Sequence, residues 1–312
     1  MADDTTSCSY LEQCCLPPNV REASNPIKPQ IKQVCRSGCG WRNPKGLGFQ
    51  ITGNNAHEAE FGEFPWMVAV LRKEELNRYQ SINLYIGGGS LIHPRVVLTA
   101  AHILNTMRLK VRAGEWDTQT ERELYPHQER LVIEVDVHDR FNKENLHYDV
   151  ALLYLDRPMD LQPNVGLACI PHKRVYLDKN AECFATGWGK NQYGKSGQYQ
   201  NILKKIDLQL VDHRLCEAQL RRTRLQRHFN LHPSFLCAGG EVNKDTCTGD
   251  GGSPLVCPVK FERDRYVQMG IVAWGIECGH ALPGVYSAVA AFGGWIDNSV
   301  GMRGLDTRVY RY

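Results

Sequence analysis

The sequence predicts an all-β protein, and three observations support that prediction. Short segments rich in Val, Ile, Leu and aromatic residues recur from Phe61 onwards, and several alternate apolar and polar residues as half-buried strands do. Turn residues separate these segments. Only two helices are expected, at 212–226 and 291–299. So many strands with so little helix are typical of a β-barrel or a β-sandwich.

The segments expected to form strands follow one another without an internal repeat or a low-complexity stretch. In chain order they are WMVAVL, LYIGGGSLI, RVVLTA, RLKVRAGEW, RLVIEVDVH, DVALLYL, CFATGWG, IDLQLV, PLVCPV, YVQMGIVAW and GVYSAVA.

Composition and charge argue against two classes of protein. A formal net charge of +3 over 312 residues is too small to indicate nucleic-acid binding. No run approaches the ~18 apolar residues that a membrane-spanning helix needs, so no membrane span is expected.

The cysteines indicate an oxidising compartment. There are twelve, spread along the chain, and none forms a Cys-x-x-Cys pair. This argues against a zinc ribbon or a thioredoxin-like site and favours a disulfide framework. The stretch MADDTTSCSY at the N-terminus is acidic and lacks the apolar core of a secretory signal. We therefore interpret the chain as the mature or trimmed form of a secreted protein.

The first 50 residues differ from the rest of the chain. They contain five cysteines and the proline-containing stretch NPIKPQIKQ, with few apolar residues. This composition predicts a small cysteine-rich segment at 1–40 and a linker at 41–50. The strand-rich domain is expected at 51–300, followed by a C-terminal tail at 301–312.

Three stretches place candidate catalytic residues in a set order. LTAAHIL contains His102, HYDVALL contains Asp149, and CTGDGGSPLVC contains Gly251. Together with GWG, IVAWG and PGVY, they resemble the chymotrypsin and trypsin family over 51–300. The resemblance implies two six-stranded antiparallel β-barrels with a C-terminal helix. It also implies that His102 is placed as the general base and Asp149 as the carboxylate that orients it.

The position of the nucleophilic serine is held by Gly251, and a serine follows only at Ser253. Two residues of extended chain span up to ~7 Å. A general base must lie within about 2.6–3.2 Å of its partner. Ser253 is therefore expected to fill the loop and not to act as nucleophile. The amides of Gly249 and Gly251 match the family's oxyanion hole and would leave only weak residual catalysis.

A second departure from the family pattern concerns activation. Active relatives are cut after Arg or Lys, and the new amino terminus pairs with the aspartate before the nucleophile. Here Gln50 precedes Ile51, so a trypsin-like activator is not expected to cut at this bond. Asp250 would then lack its ammonium partner, and the substrate pocket would stay partly zymogen-like.

The resemblance further implies a substrate pocket and a set of disulfides. Asp245 matches the aspartate at the base of a trypsin-like pocket, and Gly275 and Gly284 match the small residues at its entrance. One usual bridge is missing, because Gly87 and Ile103 hold both of its cysteine positions. The implied disulfides are Cys183–Cys257, Cys216–Cys237, Cys247–Cys278 and Cys39–Cys169, while the pairing of Cys8, Cys14, Cys15 and Cys35 is left open.

The N-terminal cysteines and the stretch GCGWRNPKGLGFQITG resemble the clip-domain serine protease homologues of arthropods, although only part of a clip module is recognisable. The resemblance implies a secreted haemolymph protein without catalytic activity and without a cofactor. It would regulate prophenoloxidase activation and melanisation. Its partner would be prophenoloxidase, phenoloxidase or an active clip-domain protease. Whether it forms oligomers on activation is left open. Two alternatives remain: an active trypsin-like endopeptidase, and a decoy that binds inhibitors or Arg- and Lys-bearing substrates.

Two further segments carry weaker signals. The acidic stretch 114–130 matches a family loop that sometimes binds calcium, and Glu115 would supply an oxygen ligand. The stretch QLRRTRLQRHF at 219–229 is strongly basic and would suit an acidic partner. The alternative for each is an ordinary solvated surface.

Overall fold

The structure is a computed structural model of the chain. The structure describes residues 38–48, 57–77, 80–104, 108–171, 181–191, 196–241, 246–247, 249–276 and 281–312. Several residues singled out in the sequence lie outside these ranges, namely Cys8, Cys14, Cys15, Cys35, Gln50, Ile51, Asp245 and Cys278.

The first six strands close into an antiparallel barrel with the order β1-β2-β3-β6-β5-β4. The strands are β1 (Met67–Asn77), β2 (Gln80–His93), β3 (Val96–Thr99), β4 (Leu109–Ala113), β5 (Gln128–Val137) and β6 (Ala151–Leu155). Strands β3 and β6 are buried along their whole length, whereas β5 leaves Leu131, Ile133 and Val135 exposed.

The next six strands form a second closed antiparallel barrel with the order β10-β11-β12-β9-β8-β7. The strands are β7 (Glu182–Gly187), β8 (Lys204–Val211), β9 (Phe235–Gly239), β10 (Pro254–Pro258), β11 (Tyr266–Trp274) and β12 (Pro283–Ala288). The prediction of two six-stranded antiparallel barrels is confirmed. Strand β9 is the one that the sequence pattern did not predict.

Both α-helices differ in length from the prediction. Helix α1 (His213–Leu220) begins where the Asp212 carboxylate accepts hydrogen bonds from the amides of Arg214 and Leu215, and it is six residues shorter at its C-terminus than the predicted 212–226. Helix α2 (Val289–Met302) is longer than the predicted 291–299, because Phe292, Ile296 and Val300 bury one of its faces.

Buried apolar residues of the two barrels pack together, although the described residues also form three other clusters. A single buried cluster contains Trp66 and Leu98 from the first barrel and Val256 and Ile271 from the second. This shared packing fixes the two barrels relative to each other.

The segments flanking the barrels are also ordered. Residues 41–48, predicted as linker, follow Gly40, whose amide donates to Leu167 O (2.7 Å) and whose carbonyl accepts from Tyr266 N (2.7 Å). The predicted tail at 301–312 contains a 3-10 helix (Thr307–Tyr310), and the buried Tyr310 hydroxyl donates to Asp297 at 3.0 Å.

Candidate functional site

Strand pairing brings His102 and Asp149 together. Strands β3 and β6 are antiparallel neighbours, with Thr99 opposite Ala151. His102 lies in the 3-10 helix Ala101–Ile103 just after β3, and Asp149 lies just before β6. The two side chains therefore emerge from adjacent strands at the same end of the first barrel.

The Asp149 carboxylate fixes both the backbone and the ring of His102. Its Oδ1 accepts a hydrogen bond from the His102 amide at 2.8 Å, and its Oδ2 accepts from Nδ1 of the ring at 2.6 Å. The Asp149 side chain is 0% exposed, whereas the His102 side chain is 25% exposed. This pair has the geometry of a base and its orienting carboxylate, with Nε2 left to face the second barrel.

Gly251 lies directly against that nitrogen. Its carbonyl accepts a hydrogen bond from Gly88 N of β2 at 2.9 Å, which joins the loop before β10 to the first barrel. A Cβ atom built on Gly251 would lie 2.6 Å from His102 Nε2 and 3.2 Å from Ile103 Cγ2. The first distance is shorter than real Cβ contacts, so any side chain at this position would require the imidazole to move.

Ser253 is placed in the protein interior. It is 0% exposed, and a Cβ atom at Gly88 would lie 2.0 Å from its Oγ. The Oγ makes no hydrogen bond of standard geometry within the described residues, although it is near enough to the Tyr85 hydroxyl to lower that group's pKa. Burial acts in the opposite direction and more strongly, so the pKa of Tyr85 is well above its usual range. A hydroxyl enclosed in this way is not presented to a substrate.

Asp250 is buried beside Ser253 and is held by two backbone amides. Its Oδ1 accepts from Gly189 N and its Oδ2 from Cys247 N, each at 2.9 Å. Burial raises the pKa of this carboxyl from 3.8 to about 6, against the effect of the two amides. Within the described residues no cationic side chain forms an ion pair with it, so backbone donors are the partners seen for this carboxylate.

A tyrosine that the sequence did not indicate packs on the predicted oxyanion position. A Cβ atom on Gly249 would lie 2.5 Å from Cε1 of Tyr199. The Tyr199 ring also lies edge-on to Tyr85, with 6.1 Å between the ring centroids. Gly249 itself has a φ of +97°, which favours glycine. Tyr199 is paired with Lys190 in an isolated antiparallel β-bridge outside the barrel strands, and no sequence motif marks it.

The predicted substrate pocket is described only in part. Gly275 is exposed, with no atom within 4 Å of where its Cβ would be, and Gly284 is buried in β12 opposite Ala238. Asp245, the predicted base of the pocket, lies outside the described residues. A pocket for Arg or Lys therefore stays a prediction.

Comparison with known proteins identifies the family. The model of the trypsin family matches residues 54–296. The chain belongs to the trypsin family. Within it, the chain is a clip-domain serine protease homologue, as the similarity to proteins of that type shows.

Two relatives illustrate this similarity. "Phenoloxidase-activating factor 2" of Galleria mellonella is 55% identical over 95% of this chain and 100% of that protein. "Inactive CLIP domain-containing serine protease A8" of Anopheles gambiae is 38% identical over 93% of this chain and 78% of that protein.

The disulfides of this trypsin-family chain follow the pairing that the resemblance implied, as far as the structure describes it. Cys39–Cys169, Cys183–Cys257 and Cys216–Cys237 are formed, and Cys247 is disulfide-bonded as well. Where the family's other bridge is missing, Ile103 fills the space: its Cδ1 would lie 2.9 Å from a Cβ on Gly87.

The predicted calcium ligand of this homologue is bound to an arginine. Oε2 of Glu115 accepts from Arg112 Nη1 at 2.7 Å, and Oε1 accepts from Trp116 N at 3.0 Å. Burial raises the pKa of Glu115. In the described part of the chain no group of three or more His, Cys, Asp or Glu side chains is placed to hold a metal ion. Calcium binding stays a prediction, and it would have to compete with the Arg112 guanidinium.

The described helices of the homologue are α1 and α2, of eight and fourteen residues. None of them is long and apolar enough to cross a bilayer.

Proposed function

We propose that this chain is a non-catalytic member of the trypsin family that acts as a secreted regulatory factor in phenoloxidase activation. One observation carries the proposal: Gly251 holds the nucleophile position, and a Cβ there would lie 2.6 Å from His102 Nε2. Position 251 therefore provides no hydroxyl, and a serine placed there would require the His102 ring to shift.

The chemical consequence of this arrangement is large. Acyl transfer in this family begins with attack by the serine oxygen, after the histidine has taken its proton. Removing that serine alone costs on the order of 10⁶ in kcat in a related type of enzyme. His102 and Asp149 remain paired, but within this site the base faces a glycine that has no proton to give.

The names of the relatives support the regulatory part of the proposal. One relative is named a phenoloxidase-activating factor and others are named inactive CLIP domain-containing proteases. The disulfides are consistent with an extracellular protein. We accordingly assign the chain to insect immunity, with prophenoloxidase, phenoloxidase or an active clip-domain protease as partner.

The catalytic part is tested with the purified full chain and Arg- or Lys-containing ester and amide substrates. We expect turnover no higher than that of buffer, and no labelling by a fluorophosphonate probe, with an active trypsin-family enzyme as positive control. Stoichiometric labelling at Ser253 would show that the interior serine can act as a nucleophile, and the proposal of inactivity would fail.

The regulatory part is tested by reconstitution. Prophenoloxidase and an active clip-domain protease are mixed with and without the full chain, and phenoloxidase activity is measured by oxidation of a diphenol. We expect activity to rise only when all three proteins are present. If the chain neither changes this activity nor binds either protein, the regulatory proposal is wrong.

A further inference from the structure

Exposed arginines cluster on helix α1 and on the turns that follow it. Arg214, Arg222, Arg224 and Arg227 are all exposed, and within the described residues none of them forms an ion pair. Arg227 Nε donates a hydrogen bond to His228 Nε2 at 3.0 Å, but this contact neutralises no charge. The cationic groups are therefore available to another molecule.

The two carboxylates within and next to helix α1 already have partners. Glu217 forms an ion pair with Arg221 at 2.7 Å and accepts a hydrogen bond from Leu231 N at 2.9 Å. Asp212 accepts from the first amides of helix α1. Neither acid is free to neutralise the exposed arginines, so the local field stays positive.

The backbone that carries these arginines is fixed by its other side chains. Arg221 Nε donates to Phe229 O at 2.7 Å, and Thr223 Oγ1 donates to Leu220 O at 2.6 Å. Leu225 and Phe229 pack on a buried apolar cluster. The Phe229 ring lies edge-on to Trp274, with 6.1 Å between the ring centroids. Anchored residues alternate with exposed arginines, so little ordering would be needed on binding.

An apolar side chain lies within this basic region. Leu215 is 54% exposed and lies in the first turn of helix α1, whereas Arg222 follows the end of that helix. Arg214 is its neighbour in sequence. An exposed leucine among arginines is suited to a partner that offers both carboxylates and apolar side chains.

We propose that the surface formed by Arg214, Leu215, Arg222, Arg224 and Arg227, here called the arginine surface, binds an acidic polypeptide segment that also carries apolar residues. This inference rests on the proposed function, because the segment would belong to a protein that the chain regulates. The arginines would hold carboxylates and steer association, and Leu215 would contact an apolar side chain. A sulfated polysaccharide would use the arginines but has no apolar side chain for Leu215.

The direct test measures binding of two labelled probes to the full chain: a peptide composed of Glu and Leu, and a heparin oligosaccharide. The variant Arg222→Glu/Arg224→Glu/Arg227→Glu is compared with Arg122→Glu/Arg157→Glu/Arg263→Glu, which changes the net charge equally at exposed arginines elsewhere. We expect the first variant to lose about tenfold or more in peptide affinity and most of its salt dependence. The control should stay within about twofold. Equal losses in both variants would show an effect of net charge alone and overturn the proposal.

Leu215→Ser separates the two classes of partner. We expect it to weaken peptide binding about threefold or more, because part of a leucine side chain is no longer buried, and to leave heparin binding unchanged. Tighter binding of heparin than of peptide, with no effect of Leu215→Ser, would overturn the assignment to a polypeptide. Circular dichroism melts of every variant verify folding, and a set of Arg→Gln substitutions at the same positions repeats the test without charge reversal.

The reconstituted phenoloxidase assay distinguishes failure of this inference from failure of the proposed function. If the wild-type chain activates and the arginine-surface variant activates equally well, the surface is not used and the regulatory function stands. If the wild-type chain does not activate, the regulatory function fails, while the peptide-binding result is judged by its own controls.

Discussion

The two sides of the degenerate catalytic site differ in how much of an active site they retain. On the first barrel, Asp149 still holds His102 through two hydrogen bonds of 2.8 and 2.6 Å. On the second barrel, the loop before β10 has a glycine where the nucleophile would be, and Tyr199 lies against Gly249. The difference therefore lies in the second barrel, which provides no hydroxyl side chain at position 251.

A physical reason for the retained side is that its residues also serve the fold. Asp149 satisfies a backbone amide as well as the imidazole, and it does so with no exposure to water. Losing it would leave buried donors unpaired, which costs stability whether or not the protein is an enzyme. A serine hydroxyl at position 251 would have no such second role. The hydrogen bond from Gly88 N is accepted by the backbone carbonyl of residue 251, which a glycine provides equally well.

The largest effect that tests this comparison is expected from Asp149→Ala. It removes the acceptor for both His102 N and Nδ1, and we expect a loss of about 2–4 kcal/mol in the free energy of unfolding. Urea denaturation measures it, with Asp139→Ala as a control at an exposed aspartate. Equal effects of the two substitutions would mean that the retained pair is not needed for stability.

On the other side of the site, Asp250 makes stability depend on pH. Its pKa is raised from 3.8 to about 6 in the folded chain, so folding favours the protonated form. Stability from this group is therefore greatest at low pH and falls as the pH rises from 3.8 through 6. Relative to Asp250→Asn, which does not titrate, the free energy of unfolding should fall by about 2–3 kcal/mol between about pH 4 and pH 7. A difference that is constant with pH would contradict this.

A side chain at position 251 should cost stability because of His102. We expect Gly251→Ala to lower the free energy of unfolding by about 1–3 kcal/mol, since its Cβ overlaps Nε2. Gly251→Ser should behave in the same way and should not gain substantial activity.

Two comparisons make this prediction specific. In a His102→Ala background the cost of Gly251→Ala should largely disappear, which a double-mutant cycle measures. Gly275→Ala, at a position with nothing within 4 Å, should change stability by no more than about 0.5 kcal/mol. If Gly251→Ala costs the same with and without the imidazole, the crowding does not come from His102.

The smallest effect is expected at Ser253. Its hydroxyl has no standard hydrogen bond within the described residues, so Ser253→Ala should change the free energy of unfolding by less than about 1 kcal/mol. Ser90→Ala is the matched control, because that buried hydroxyl donates to Gln268 Oε1 at 2.6 Å and its loss should cost more. A larger loss at Ser253 than at Ser90 would show that Ser253 has a structural partner.

Much of the fold could be predicted from the sequence, because its strands alternate and its motifs are long. Strand β9 was missed because its five residues, FLCAG, offer neither alternation nor β-branched side chains. Helix α1 was predicted too long because Leu, Gln and Arg favour helices. The chain instead leaves the helix after Leu220, where the amides of Arg222 and Thr223 donate to carbonyls three residues back and Thr223 Oγ1 also donates to Leu220 O.

The site was predictable only where residues could be read from motifs. His102, Asp149 and Gly251 carry such motifs, so their proximity could be expected. The short distance of 2.6 Å between His102 Nε2 and a Cβ at position 251 depends on loop positions from both barrels, and no sequence spacing determines it. Tyr199 has no motif that would indicate its place beside Gly249. Glu115 forms an ion pair with Arg112, three residues earlier, and composition alone does not show this pairing.

The Cys39–Cys169 bridge makes a covalent ring of the intervening chain. Every peptide bond between the two cysteines lies within this ring, the Gln50–Ile51 bond among them. A protease that cuts one of these bonds opens the ring but releases no fragment. The two polypeptides would separate on a gel only after reduction of the thiols, and processing of the chain would leave its N-terminal segment attached to the barrels.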